Sequence, residues 1–126
     1  MGEEALAEFV ESVERLADRF RAMPQSRLLG AVPGHASRAA AALALAQQLA
    51  DAAQRLEEGP RAAARTVPDA GVFAVGDQLA VAGHDLVTAL VTPSPFPAAL
   101  DAPGPDAGEV LARAAAAVAE VGALCG

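Results

Sequence analysis

A chain of 126 residues with 53% hydrophobic and 20% charged side chains has the balance of one globular domain, too short for two cores and too apolar for disorder. The formal net charge of −7 disfavours a polyanion, so no nucleic-acid partner is expected. No apolar run approaches the roughly 18 residues of a membrane span, so no membrane association is expected either.

The opening "MGEEALAEF" lacks the basic and apolar regions of a secretory signal, and Leu6 stands where a myristoylation signal needs Ser or Thr. A cytoplasmic protein is the expectation. The lone Cys125 leaves no internal disulfide. Lys, Asn, Ile and Tyr are missing and every basic residue is Arg. Those four amino acids share AT-rich codons, so a GC-rich genome accounts for the set without a phosphate-binding role for Arg.

The first element spans about 3–23. Leu6, Phe9, Val10, Val13, Leu16, Ala17, Phe20 and Met23 recur at three- and four-residue steps and share one helical face. Glu3, Glu4 and Glu8 near its start and Arg19 and Arg21 near its end match the partial charges of the helix ends. Pro24 blocks continuation. The connector "PQSRLLGAVPGH" has room for one helical turn carrying Leu28 and Leu29.

The second helix is expected over about 33–58, with Pro33 as its first-turn residue or a kink. Ala39, Ala42, Ala46, Leu49, Ala53 and Leu56 form its apolar seam, widened by Leu43. Gln47, Asp51, Gln54 and Glu58 lie on the opposite stripe. A third helix is expected over about 70–91 with Asp69 as N-cap. Its stripe Val72, Val75, Leu79, Ala82, Leu86, Ala89 lies beside a second, Phe73, Gly76, Ala80, Gly83, Val87, Leu90.

Mid-helix glycine costs about 1 kcal/mol against alanine. Gly76 and Gly83, with Ala80 between them, therefore imply another backbone at close range, and the alanine seam of the second helix is the expected partner. A fourth helix over about 106–125 opens on an Asp106 cap with Glu109 at the capping-box position. No hairpin dipeptide or period-2 alternation competes. The expected fold is one all-α domain over 1–126, an antiparallel four-helix bundle with Ala- and Gly-rich close-packed seams.

Candidate chemistry is sparse, and neither a catalytic residue nor a cofactor is expected. His84 lies on the solvent arc of its helix with no carboxylate at three or four residues' distance, and reads as solvated. Glu4, Glu8, Glu11 and Glu14 form a stripe that could seat metal in a small all-α nucleotide pyrophosphohydrolase, the alternative function. That chemistry needs an inward carboxylate pair from a second helix. Asp51, Glu57 and Glu58 do not have the spacing. No zinc, di-iron, phosphate-loop or nucleophile-elbow pattern occurs.

Arg55, Arg61 and Arg65 form a local anion patch whose simpler role is solvation. The proline-rich stretch 92–105 stiffens Pro93, Pro95, Phe96 and Pro97 into an extended loop. Phe96 there either covers the end of its own core or anchors a protein partner; covering is the simpler outcome. The functional expectation is a non-catalytic interaction or assembly module. Alanines 112, 115, 116, 119 and 123 flank the main seam of the fourth helix, and so much methyl surface favours a homodimer through that helix or the proline-rich loop.

Overall fold

The structure, a computed structural model, describes residues 2–59, 65–92 and 106–126. It contains α1 (Glu3–Ala22), α2 (Gln25–Leu28), α3 (Arg38–Glu58), α4 (Val75–Val91) and α5 (Ala107–Cys125), with a 3-10 turn over Val72–Ala74 leading into α4. The chain is all-helical among the described residues, where the sole β feature is an isolated bridge between Val32 and His35.

Helix α1 follows its apolar periodicity. Phe9, Val13, Leu16, Ala17 and Phe20 are buried, and Met23 closes the end before Pro24. The single turn of α2 buries Leu28 completely and leaves Leu29 outside. The expected helical start at Pro33 is corrected. Pro33 and Gly34 form the corner of a turn in which the His35 amide donates to the Val32 carbonyl at 3.1 Å. Gly34, at φ 82°, takes the left-handed conformation that the third position of a type II turn demands, after a proline at the second. The helix begins only at Arg38, where the Ser37 hydroxyl accepts from the Ala40 amide at 2.9 Å.

The start of α4 also moves. Asp69 accepts from the Gly71 amide and so closes a local turn rather than capping the helix. The 3-10 turn that follows breaks the helical phase, which is why Phe73 falls off the expected apolar stripe and stands 66% exposed. Asp106 does cap α5, through the Gly108 amide at 2.9 Å. Glu109 pairs forward with Arg113 instead of back to the cap.

The principal helix pairs are α3 with α4, α1 with α4, α1 with α5, and α3 with α5. Named contacts give their directions. Gly76, at the start of α4, faces Ala17 and Arg21 near the end of α1, whereas Gly83 faces Val13. Helix α4 thus runs against α1. The last turns of α5 meet Arg19 of α1, Arg27 of α2 and Arg38 at the start of α3. Helices α1 and α5 therefore run one way, and α3 and α4 the other.

Simple antiparallel alternation is not what these contacts draw. Two neighbouring helices, α3 and α4, are parallel, so the chain between them must return the length of α3. Its described part does so along the α3 surface. The Arg65 amide donates to Gln54 Oε1 at 3.0 Å, and the Val67 amide to Gln47 Oε1 at 2.7 Å. Gln47 Nε2 also donates to the Arg65 carbonyl. The stripe opposite the apolar seam is thus covered in part: Gln54 is only 8% exposed, and the two glutamines, two turns apart, satisfy part-buried backbone groups of the returning chain.

Candidate functional site

Helix α1 organises the polar features of the molecule because both α4 and α5 lie against it. On the α4 side, the Gly76–Ala80–Gly83 seam is a close-packing surface, as its composition implies, but its partner is corrected. An added Cβ at Gly76 would stand 2.9 Å from the Ala17 carbonyl oxygen, and one at Gly83 would stand 2.6 Å from Val13 Cγ1. The glycines therefore admit α1, while Val75, Leu79, Ala82 and Leu86 lie in the common core and α4 also packs on α3.

Polar pairs edge that seam. Arg21 donates to Asp77 at 2.8 Å and to Asp18 at 2.9 Å, and these bonds hold its guanidinium above the ordinary arginine value. Two turns further along α4, His84 Nε2 meets Glu14. The expectation of a histidine without a partner is corrected: the carboxylate comes from a helix 70 residues away in sequence. Both side chains remain accessible, 53% and 42% exposed, so the pair is a surface latch and not an enclosed acid–base couple.

On the α5 side, Ser12, Arg15, Leu16 and Arg19 of α1 and Ala115, Val118, Ala119 and Gly122 of α5 line an open groove of about 250 Å³. Its floor is small because α5 presents alanine and glycine there. Arg15 is drawn along α1 by Glu11 at 3.3 Å, while Arg19 reaches across to the Gly122 carbonyl at 3.1 Å.

Three arginines converge on the end of α5. Besides Arg19, Arg27 donates to the Gly126 carbonyl at 3.0 Å, and Arg38 Nε donates to the Cys125 carbonyl at 3.3 Å. Arg38 also bonds the Arg27 carbonyl, lying where Gly30 leaves room for it. This clasp satisfies helix carbonyls that lack intrahelical donors. Cys125 is sealed beneath it, and burial pushes its thiol up against the opposing influence of Arg38 and Arg19. Nothing in the sequence marks the clasp, since its members come from three separate elements.

The remaining expectations fare unevenly. Of the anion patch, Arg55 is exposed on α3, Arg65 pairs with Glu58, and Arg61 lies outside the described residues. Pro93, Pro95, Phe96 and Pro97 also lie outside them. The stripe of Glu4, Glu8, Glu11 and Glu14 is spread along α1, and among the described residues its side chains engage only Arg15 and His84. Among the described residues no three His, Cys, Asp or Glu side chains stand close enough to share a metal ion.

No helix among the described residues is long and apolar enough to cross a membrane. The chain matches no known protein family, no curated protein and no solved structure.

Proposed function

We propose that this chain is a four-helix bundle with one crossover connection that serves as a non-catalytic protein-interaction module in the cytoplasm. In this reading it self-associates as a homodimer through the outer face of α5 and needs no cofactor. The supporting observation is the composition of that face. Ala112, Ala115, Ala116, Ala119 and Ala123 are all exposed on a helix whose inner side already packs on α1 and α3. Arg113 and Glu120 are the charged side chains among them, so methyl groups dominate the surface beside the α1–α5 groove.

Alanine faces allow helices to approach closely, and a second copy's α5 would bring an equally shallow surface to the contact. Light scattering coupled to size exclusion, read by refractive index because the chain has no Trp or Tyr, tests the proposal. The expected mass is that of a dimer for the natural chain and of a monomer for Ala116→Glu, a change that keeps helix propensity but places a charge in the contact. A natural chain at monomer mass through a full concentration series would overturn it.

A further inference from the structure

Gln47, Asp51, Gln54 and Glu58 repeat an amide and a carboxylate along one stripe of α3, and each amide is aimed by the acid one turn further on. Gln47 Nε2 donates to Asp51 and Gln54 Nε2 to Glu58, both at 2.8 Å. Each Oε1 is thereby turned to the returning chain, where it accepts from an alternate backbone amide, Val67 for Gln47 and Arg65 for Gln54. Gln47 also donates to the Arg65 carbonyl. One side chain thus engages both peptide groups that flank Thr66, as a neighbouring strand would. Further along, Gln78 of α4 donates to the Pro68 carbonyl at 2.7 Å.

Three glutamines from two helices therefore hold Arg65–Pro68 by its backbone. Its side chains are held more lightly: Thr66 is exposed, Val67 is half-buried, and Arg65 meets Glu58 at the surface. The segment is also an incomplete occupant. Gln78 Oε1 is buried and accepts no hydrogen bond among the described residues. The chain turns away at this point, where Asp69 accepts from the Gly71 amide and Gly71 takes φ 94°. An occupant that stays extended past the proline offers the further amide that this chain does not.

We infer that Gln47, Gln54 and Gln78 form a site for an extended peptide in trans, which Arg65–Pro68 fills as an internal pseudo-ligand. The inference extends the reading of this chain as an interaction module, but it uses a surface separate from the α5 face. The segment in place states the chemistry of the partner: an arginine, any residue, an aliphatic residue, then a proline. Charge agrees with it, because Asp51 and Glu58 stand at the site on a chain of net −7 and favour a cationic segment. Attachment gives the internal segment a high effective concentration, so a free peptide competes well only once that segment is weakened.

The capped, fluorescein-labelled peptide Arg-Thr-Val-Pro-Asp-Ala tests the site by fluorescence anisotropy with the whole chain. Two variants weaken the internal segment and leave the glutamines in place. Arg65→Glu sets like charges at Glu58 on an exposed side chain, away from the core, and Val67→Pro removes the amide that Gln47 accepts. Each is expected to bind the peptide at least about tenfold more tightly than the natural chain does. Adding Gln47→Leu to either variant is expected to remove the gain. N-methylation of the peptide's valine, which deletes the N–H that Gln47 takes, is expected to do the same.

Equal affinity for the natural chain and both variants would overturn the inference, and so would binding that survives N-methylation or Gln47→Leu. Arg65–Pro68 would then be a brace for the crossover alone. The mass of the natural chain reports on α5 and is indifferent to peptide binding, so the two readings fail separately.

Discussion

Gly83 and Val13 touch so closely that alanine at position 83 has no room without a shift, and Val13 is β-branched, 1% exposed and held by its neighbours. Better helix propensity offers about 1 kcal/mol, and overpacking opposes it with about 1–3 kcal/mol. Gly83→Ala is therefore expected to lower stability in denaturant titration, and Val13→Ala in the same chain to recover part of the loss as a coupling term. At Gly76 the obstacle is the Ala17 backbone carbonyl, so Gly76→Ala should cost at least as much.

Cys125 gives a second residue-scale prediction. Its thiol is raised by burial in the folded chain, while the unfolded thiol titrates near its ordinary 9.0. The folded state then holds the proton more tightly. Its stabilising contribution is complete below that pH and is lost as pH rises through the raised folded value. With no Lys or Tyr in the chain, the alkaline window is otherwise free of side-chain titration below arginine. Melting midpoints above pH 9 should fall in the natural chain, and the slope should flatten in Cys125→Ala.

At the scale of elements, the crossover depends on two glutamines. Removing the Gln54 side chain leaves the part-buried Arg65 amide without its acceptor, at a cost of about 1–3 kcal/mol, or roughly 5- to 160-fold in the local opening equilibrium. Trypsin should cut after Arg65 faster by a factor in that range in Gln54→Ala, and a rate equal to that of the natural chain would refute the assignment.

The sequence carries helices with clear stop signals well. The Phe9–Val13–Leu16–Phe20 spacing and Pro24 bound α1, and Asp106 marks α5. It carries poorly whatever depends on distant neighbours. A helical wheel shows that Gly76 and Gly83 share a face, but not whether α1 or α3 meets it. The same limitation hides Glu14 from His84 and separates Arg19, Arg27 and Arg38. Pro33 is compatible with a first helical turn or a type II turn, and the bridge to His35 decides between them.

For the whole molecule, the layout predicts an order of local stability. Helix α4 packs broadly on both α1 and α3, whereas α5 rests on them more sparsely and is bordered by the open groove. Amide exchange followed by mass spectrometry should find the slowest amides in α1, α3 and α4, with α5 releasing protection first. Uniform protection across all four long helices would contradict that order.

The shared direction of α1 and α5 also brings their two C-termini together, each bearing roughly half a negative charge from its macrodipole. In an alternating bundle each such end would sit beside the positive N-terminus of its neighbour. Here that compensation is missing on one side of the pair, and Arg19, Arg27 and Arg38 stand in its place. The arginine clasp is thus the electrostatic counterpart of the crossover: a topology that aligns two dipoles in parallel is matched by cations drawn from three elements to the end where their negative poles meet.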